Sequence, residues 1–418
     1  MNILYLSHKN PAAMDEGAKI VIMGTIRHLA RKGCKVTLVY LDGDANGSAR
    51  GLDEFCARVV AVPHRRAGAL SRAFRIVEGM YRNKPYTVEM FKNHAFGLEI
   101  DKLMTQDKFD CVHMETALLY QYKSHLSGLP VVVRHHNLES GLLKQQSENA
   151  GGWLKKTVLK RHSELLAKYE SDAVNGADFS VAITQADKDS IIREYSCSRP
   201  VEVIPAGIET ELVMPKAQQE HCLVFTGRVE WGPNLEGVAW FVKKVFPTIS
   251  QRFPKLKLYI AGGLPPAWLK AFETDKVRIT GLVDNPTDYI DRAEVYIVPL
   301  MAGSGMRLKI LEAMSRGRAI VSTTKGAEGI ACENGRNIML ADSAEEFASS
   351  VISLLENKME RDAMGASAFA NVKNNYSWSG VADRFISVYS KCIDAGSSGA
   401  VRTEGPSRRL KVIRGNER

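Results

Sequence analysis

Short apolar segments alternate with helical patterns along almost the whole chain, and the series occurs twice. In the first half, the spacing of apolar residues over 17–33 predicts a helix that ends at Gly33. The segments typical of buried strands are 2–7, 35–41, 110–116, 130–137, 179–184 and 201–207. Strands that alternate with helices indicate βαβ units and a parallel sheet.

The same alternation starts again after the polar segment 206–221. The predicted strands of this second series are 222–227, 257–263, 277–281, 295–300 and 319–324, and 234–253 is a predicted helix. A chain of 418 residues is long enough for two domains of ordinary size. We therefore predict an α/β protein with two tandem Rossmann-like, doubly wound domains, 1–205 and 206–375. Ligands of such sheets bind beyond the carboxyl ends of the strands, so the two domains should face each other across a cleft.

The composition is that of a soluble globular protein, with 45% hydrophobic and 25% charged residues. No apolar run reaches the roughly 18 residues of a membrane span, and the first ten residues form a strand pattern rather than a signal peptide. The seven cysteines show neither a CxxC pair nor zinc spacing. We expect a cytoplasmic protein with reduced thiols and no bound metal or other cofactor.

The net charge of +9 is concentrated in the first half, where residues 1–200 hold 28 Lys and Arg against 22 Asp and Glu, and in the Gly/Ser-rich tail 396–418. We expect this tail to be disordered, or to order only on a partner.

Two basic stretches, 64–84 and 153–170, are typical either of solvated helix faces or of a surface for anionic lipid headgroups. At helical spacing, 64–84 has an apolar side with Leu70, Phe74, Val77 and Tyr81, and a basic side with Arg65, Arg66, Arg72, Arg75, Arg82 and Lys84. Peripheral attachment to the inner face of the cytoplasmic membrane is one expectation, and an ordinary core helix is the other. No nucleic acid partner is expected, because no aromatic-interleaved basic motif is present.

The segment 295–314 reads as a strand, a glycine-containing loop and a helix. Gly303 and Gly305 allow main-chain N–H groups to approach a ligand closely, and a helix that begins near Gly305–Met306 would direct its free N–H groups to the same point. Arg307 and Lys309 add two positive charges. We therefore predict a phosphate site, with a structural βα turn as the alternative. The loop matches neither GxxxxGK[ST] nor GxGxxG, which disfavours kinases and ordinary dinucleotide enzymes.

Two further residues belong to this half of the cleft. Glu312 lies in an otherwise apolar helix, where its carboxylate could accept hydrogen bonds from ribose hydroxyls; the alternative is an ion pair with Arg316 at i+4. Gly227 and Arg228 follow the first strand of the second sheet, so we expect Arg228 to point into the cleft. A surface arginine is the alternative.

Together these segments resemble the retaining glycosyltransferases of the GT-B fold, in the large GT4 family. The motifs that carry the resemblance in the second half are the Gly-Arg turn at 227–228, "GLVDN" at 281–285 and "LEAMSRGRAIV" at 311–321. In the first half they are "HHNLES" at 135–140, "VAITQADKDSI" at 181–191 and "VIPAGIET" at 203–210. The segment 376–393 resembles the family's C-terminal helix, which crosses back onto the first domain, so we expect a helix over 376–395.

The resemblance implies a role for each residue at a matching position. Glu312 would bind the ribose, while Arg228 and Lys309 would hold the diphosphate. His136 would face the donor sugar; only the family pattern favours it over His135 and His113. The other donor-binding residues implied are Gly17, Gly227, Gly263, Gly303, Ser304, Gly305, Met306 and Arg307.

Two positions depart from the family pattern. Ser304 stands where the first glutamate of a Glu-x7-Glu motif is usual, and Asn234 stands where a lysine often follows the Gly-Arg turn. Arg307 and Lys309 could compensate, in a version that resembles transferases of polysaccharide assembly.

The function implied by the resemblance is retaining transfer of a sugar from a nucleoside-diphosphate sugar to a glycan or lipid-linked acceptor, in cell-envelope or exopolysaccharide synthesis. No metal should be needed, because no Asp-x-Asp motif stands in the cleft segments. Two alternatives remain: a sugar-nucleotide epimerase of the same fold, and a non-catalytic nucleotide-sugar-binding regulatory protein, which the departure at Ser304 favours. The base, the sugar, the acceptor and the linkage are not predicted.

Overall fold

The computed structural model describes residues 1–13, 16–43, 51–64, 68, 76, 78–126, 128–210, 220–303 and 305–398, without the side chains of 396–398. These residues form two parallel β-sheets whose strands are connected by helices. The predicted α/β class with two doubly wound units in tandem is confirmed. Within the described residues, no helix carries an apolar stretch long enough to cross a bilayer.

The first sheet is built from the strands β1 (Asn2–Ser7), β2 (Lys35–Asp42), β3 (Arg58–Pro63), β4 (Cys111–Met114), β5 (Val131–His135), β6 (Phe179–Ala182) and β7 (Val201–Val203). Their order across the sheet is β3-β2-β1-β4-β5-β6-β7. The described helices of this half are α1 (Gly17–Arg31), α2 (Tyr86–Glu89), α3 (His94–Gln106), α4 (Glu139–Glu148), α5 (Trp153–Gly176) and α6 (Gln185–Glu194). The strand order reverses between β1 and β4, which is where ligands bind in open α/β sheets.

The second sheet is built from β8 (Cys222–Thr226), β9 (Lys257–Ala261), β10 (Val277–Gly281), β11 (Val295–Val298), β12 (Ala319–Ser322) and β13 (Met339–Leu340), in the order β10-β9-β8-β11-β12-β13. Its helices are α7 (Gly232–Trp240), α8 (Phe246–Arg252), α9 (Ala267–Lys270), α10 (Thr287–Arg292), α11 (Leu308–Ser315), α12 (Ala344–Glu356) and α13 (Lys358–Tyr376). Here the order reverses between β8 and β11. Each sheet thus offers one reversal point for a ligand.

The sequence analysis did not predict two of the strands, and it predicted as one continuous helix a segment that the structure divides. In β3 only Val62 is buried, and the two residues of β13 are half-buried. Each strand lies in an apolar run, 59–62 and 338–341, that the sequence analysis did not assign to a strand. The predicted helix 234–253 is interrupted by a π-helical turn over Phe241–Val245 before α8 begins. Pro247, at the start of α8, has no N–H to donate, and its ring disfavours an unbroken α-helical ladder.

The last helix, α14 (Trp378–Ser398), packs against the first domain. Phe385 and Tyr389 lie in the same buried cluster as Tyr5 of β1. At its start, the Trp378 ring fills the space that side chains at Gly24 and Gly207 would need, because a β-carbon on either glycine would lie within 2.3 Å of the ring. The indole therefore joins the end of the second domain to the first.

Three predictions fall on residues that the structure does not describe. They are the phosphate-loop residue Ser304, most of the amphipathic segment 64–84, and the basic tail from 399 onward. The segment 211–219, within the predicted domain boundary, also lies outside the described residues.

Candidate active site

Segments at the reversal points of the two sheets approach each other, and several of the predicted site residues lie in them. His136 follows β5, and the loop that contains Gly303 and Gly305 follows β11. A β-carbon built on Gly305 would lie 3.1 Å from Asn137 Oδ1, and one built on Gly17 would lie 3.5 Å from Leu308 Cδ1. The structure therefore brings together the Gly17 and His136 segments of the first domain and the predicted phosphate loop of the second.

The helix after this loop begins later than predicted. We expected it near Gly305–Met306, whereas α11 starts at Leu308 with Arg307 as its N-cap residue. Gly303 and Gly305 have positive φ angles of 108° and 76°, which a right-handed helix does not allow, so neither glycine belongs to the helix. Met306 is half-buried and contacts the hydrophobic cores of both domains. The free N–H groups at the start of this helix are thus those of the turn beginning at Leu308.

Lys309 directs its ammonium group inward although part of its side chain is exposed. Nζ donates to Asn234 Oδ1 at 2.9 Å and lies 4.1 Å from the centre of the Phe225 ring. Burial of the ammonium, with Arg307 nearby, lowers the pKa of Lys309 to about 7. A β-carbon on Gly227 would lie 2.5 Å from Nζ, so glycine at this turn leaves room for the charge.

Asn234, the residue that departs from the family pattern, supports this lysine. Its amide nitrogen donates to the carbonyl of Arg228 at 2.7 Å while its oxygen accepts from Lys309. Asn234 occupies the position where the family pattern would place a lysine, and it holds the ammonium of a different lysine, Lys309. This geometry agrees with compensation by Lys309, which stays an interpretation.

The two arginines of the site occupy different environments. Arg228 is exposed, and its Nε lies 2.8 Å from Glu230 Oε1. Glu230 also accepts from the main-chain N–H of Leu264, and a β-carbon on Gly263 would lie 2.1 Å from its Oε2, so Gly263 allows this loop to close. Arg307 is buried, donates to the carbonyl of Gly305 at 2.9 Å and stacks over the Trp231 ring at 5.7 Å.

Glu312 is half-buried and does not form the surface ion pair that was considered as the alternative. Its Oε1 accepts from the hydroxyl of Thr287, the first residue of α10, at 2.9 Å. Arg316 instead lies 3.5 Å from Asp291 Oδ2, so the alternative i+4 pair does not form. Burial raises the pKa of the Glu312 carboxyl. Ribose binding by Glu312 stays a prediction.

His136 is the most accessible of the three candidate histidines. His113 is fully buried, and His135 is 2% exposed with its Nε2 3.3 Å from the Ser180 hydroxyl, whereas the His136 side chain is 16% exposed. Burial, with His136 nearby, lowers the pKa of His135 to about 4, so that ring is neutral. The choice of His136 agrees with this geometry, and its role stays a prediction.

A buried carboxylate that the sequence analysis did not single out lies behind His136. Glu115, just after β4, accepts from His136 Nε2 at 2.5 Å on one oxygen and from His113 Nε2 at 3.0 Å on the other. The Tyr5 hydroxyl also donates to it, and Arg134 Nη1 lies 3.5 Å away. The one available signal was a carboxylate two residues after a histidine at a predicted strand end.

A pocket of about 430 Å³ opens in the first domain beside this network. The Phe91 ring forms part of its wall and packs between the rings of His8 and His64, with centroids 5.3 and 6.3 Å away. Burial, with Glu170 nearby, raises the pKa of Glu139 to about 7, so its carboxyl is partly protonated near neutral pH. The polar lining residues are His8, Lys9, Asn10, Lys19, His64, Thr87 and Glu139. None of these was predicted, because they come from five separate segments.

A wider groove of about 780 Å³ lies between α2 and α5. Lys84, Arg161 and Lys168 line it together with Glu89, Glu164 and Asp172, and it shares no lining residue with the pocket beside Phe91. It contains none of the predicted site residues. Among the described residues, no group of three or more His, Cys, Asp or Glu side chains is arranged to hold a metal ion; metal independence stays a prediction.

Two family models and several known proteins match this chain. Residues 16–212 match the model described as Glycosyltransferase Family 4, and residues 220–357 match the one described as Glycosyl transferases group 1. An uncharacterized 44.6 kDa protein in the cps region of Klebsiella pneumoniae is 24% identical over 392 residues, which are 90% of this chain and 96% of that protein.

Solved structures agree in fold. Sucrose-phosphate synthase from Thermosynechococcus elongatus superposes with a TM-score of 0.69 at 18% identity, over 94% of this chain and all of that one. Anabaena HepE in complex with UDP and glucose superposes with a TM-score of 0.63 at 13% identity, over 93% of this chain and 99% of that one. The two family matches, which leave only seven residues between them, and the shared two-domain architecture lead to one conclusion: the chain belongs to the group 1 glycosyltransferases and has the GT-B fold.

Proposed function

We propose that this protein is a retaining glycosyltransferase that moves a sugar from a nucleoside-diphosphate sugar to a glycan or lipid-linked acceptor. The observation that carries the proposal is the placing of the Lys309 ammonium against Gly227 and Asn234, in the first turn of α11, while Gly305 lies against Asn137, the neighbour of His136. The relative in a cps region supports a place in cell-envelope or exopolysaccharide synthesis.

Two groups support a nucleotide sugar as the donor. Main-chain N–H groups and cations favour a diphosphate, and the half-buried Glu312 carboxylate is suited to the paired hydroxyls of a ribose. Anabaena HepE, which has this fold, was solved with UDP and glucose. UDP-glucose is therefore the first donor to test.

The mechanism proposed is substitution at the anomeric carbon with a nucleoside diphosphate as the leaving group. Negative charge grows on the leaving phosphate in the transition state, and a fixed ammonium with oriented N–H groups stabilises it without reorganisation. His136 would hold a hydroxyl of the donor sugar. The acceptor hydroxyl would attack from the side on which the phosphate leaves and pass its proton to a phosphate oxygen, which retains the anomeric configuration.

A metal ion is not needed in this scheme, because Lys309, Arg228 and the loop N–H groups balance the diphosphate charge. Transfer should continue in the presence of EDTA. Loss of activity on chelation, followed by recovery with Mg²⁺ or Mn²⁺, would show that the cations alone do not suffice.

We propose that the acceptor binds in the pocket beside Phe91. An aromatic ring suits the apolar face of a sugar, and the histidine, lysine and glutamate side chains of the lining can bind its hydroxyl or acidic groups. His8 joins this pocket to the side of the cleft that carries His136, because His136 is close enough to contribute to the lowered pKa of His8, after burial and Lys9.

We also propose peripheral attachment to the inner face of the cytoplasmic membrane, through the first turns of α5. Trp153 is 79% and Leu154 is 61% exposed at the start of this helix. The lysines that follow on the solvent side are exposed as well: Lys155, Lys156 and Lys160. An exposed aromatic residue beside several cations is typical of a segment that lies in a layer of anionic headgroups.

Vesicle sedimentation tests the attachment. Each lysine near an anionic leaflet contributes about 1 kcal/mol, so reversing all three to glutamate should abolish binding to anionic vesicles at low salt. The matched control is reversal of three exposed lysines in the second domain, Lys255, Lys257 and Lys270. Equal sedimentation with neutral and anionic vesicles would exclude this mode of attachment.

The experiment for the function itself is a thermal-shift screen of UDP-, GDP-, ADP- and dTDP-sugars, followed by turnover of whichever donor raises the melting temperature. A ligand that binds the native state stabilises it by mass action. Conversion of the sugar nucleotide without acceptor would favour the epimerase alternative. Binding without conversion or hydrolysis would favour the regulatory alternative, and no stabilisation by any donor would contradict the proposal.

A further inference from the structure

The carboxylate of Glu115 is the most heavily hydrogen-bonded group behind the first-domain wall of the cleft. It has no solvent exposure, and its two oxygens are shared among the side chains of His136, Arg134, His113 and Tyr5. Burial by itself would raise its pKa, but Arg134 and the hydrogen bonds from both histidines outweigh burial and hold the pKa of Glu115 well below its usual range. The carboxylate is therefore ionised, and an ionised carboxylate only accepts hydrogen bonds.

This charge state fixes the tautomers of both histidines. Because Glu115 can only accept, Nε2 of His136 and Nε2 of His113 must each carry a hydrogen. Burial lowers the pKa of His113, so this ring is neutral and its Nδ1 accepts from the hydroxyl of Tyr389 at 2.8 Å. The Tyr5 ring stacks on His113 at 4.3 Å and fixes its plane. In His136, Nδ1 is the ring nitrogen that Glu115 does not engage.

The positive partner of Glu115 is held without competing anions. Arg134 is fully buried, donates to Thr25 Oγ1 at 3.0 Å and lies 5.1 Å from the centre of the Phe385 ring. Among the described residues, its Nε and Nη2 find no hydrogen-bond acceptor. A fully buried guanidinium that leaves donors unpaired is costly, and a merely structural salt bridge would be expected to satisfy them. The network is arranged around the carboxylate that faces His136.

We propose that Glu115 is the positioning residue of the site: it holds His136 in one orientation and one tautomer, with Nδ1 presented to the sugar. This inference rests on the proposed transferase function for its effect on catalysis. Its structural part, the control of His136 by Glu115, does not depend on that function. Because Tyr389 belongs to α14, the helix that returns from the second domain is also linked to the same carboxylate through His113.

The proposal is tested by a double-mutant cycle of Glu115→Gln and His136→Ala in the full-length protein. A displacement of about 1 Å in a catalytic group can cost about a hundredfold in rate, so Glu115→Gln should lower kcat/KM by up to about a hundredfold. The dissociation constant of the donor nucleotide should change less than twofold. In the His136→Ala background, Glu115→Gln should have no further effect, since Glu115 acts through His136. Equal losses in both backgrounds would overturn the proposal.

A second readout does not need turnover. In ¹⁵N-labelled protein, the His136 ring should show the Nε2–H tautomer, and Glu115→Gln should change the proportion of the two tautomers. The matched control is Tyr389→Phe, which removes a hydrogen bond from the same network on the side away from His136 and should leave the His136 signals unchanged. Unchanged His136 signals in Glu115→Gln would contradict positioning.

The two proposals can fail separately. A wild-type protein that transfers no sugar but shows the Glu115-dependent tautomer would refute the proposed function and keep the positioning role. Should Glu115→Gln not fold, Glu115→Asp retains the charge opposite Arg134 but withdraws the carboxylate from His136 by one methylene. The same non-additivity with His136→Ala is expected for that variant, and additive losses would again overturn the proposal.

Discussion

On the first-domain wall of the cleft, the buried carboxylate of Glu115 is surrounded by four donor side chains. On the second-domain wall, the ammonium of Lys309 has one hydrogen-bond acceptor among the described residues, the neutral side-chain oxygen of Asn234. The carboxylate of Glu115 thus has its donors in place without a ligand, and these hydrogen bonds favour one fixed arrangement of the side chains around it. The second wall keeps a charge in need of a counter-ion, and the pKa of Lys309 falls to about 7. We infer that the first wall orients His136, whereas the second wall provides a positive charge that binds an anion.

The largest effect is expected when the positive charge of Lys309 is removed. Lys309→Met should lower kcat/KM by about a hundredfold to a thousandfold, the loss seen when one charge-stabilising group is removed from a transition state. The control is Lys270→Met, an exposed lysine at the end of α9, which should leave kcat/KM unchanged. Near wild-type turnover in Lys309→Met would mean that the anion is held elsewhere.

A second test concerns the ribose. Glu312→Ala should weaken binding of the donor nucleotide by about 1.5–3 kcal/mol, the usual contribution of a hydrogen bond to a charged group, which is about tenfold to a hundredfold in the dissociation constant. Titration calorimetry measures this. The control ligand is the 2′,3′-dideoxy nucleotide, which wild type and variant should bind equally. An equal loss with both ligands would assign Glu312 a structural role.

A third test uses the pH dependence of Lys309. The ammonium binds a diphosphate only when protonated, so donor affinity should fall by up to about tenfold per unit as pH rises above about 7. In the absence of donor, the same group affects the free energy of unfolding, and this pH dependence has the opposite sign. The pKa of Lys309 in the folded state lies below the ordinary value of 10.5, so between these values the unfolded chain binds more protons and this group makes the free energy of unfolding rise with pH. Both slopes should be absent in Lys309→Met, and a donor affinity independent of pH from 6 to 9 would contradict the assignment.

The smallest effect on kinetics is expected for a substitution in the proposed acceptor pocket. Phe91→Ala should raise the KM for the acceptor about threefold to tenfold, since an aromatic contact contributes about 0.5–1.5 kcal/mol beyond its buried area. The dissociation constant of the donor should not change, which is the reverse of the pattern expected for Glu312→Ala. A change in donor affinity alone would remove the pocket beside Phe91 from the acceptor site.

Much of the fold could be predicted, because its pattern is local. Apolar segments such as 2–7 and 222–227 are buried on both faces of a parallel sheet, and the helices between them have their own periodicity. The edge strands β3 and β13 escaped prediction although each lies in an apolar run, 59–62 and 338–341, because an apolar run of four residues does not by itself distinguish a strand from a helix or a loop. The start of α11 was misplaced because the positive φ of Gly305 is a property of the folded loop.

The sequence by itself determined the two-domain α/β architecture, the glycine loop with its cations, and, through the family resemblance, the choice of His136, Lys309 and Glu312. The architecture and the loop follow from residue type and short spacing, whereas the choice of the three site residues rests on the family resemblance and stays a prediction. Only the tertiary structure decided which groups support them: Asn234 meets Lys309 across 75 residues, and His113 meets Tyr389 across 276. Such pairs leave no periodic trace in the chain, because they are created by the order in which the strands lie side by side and by the return of the last helix to the first domain.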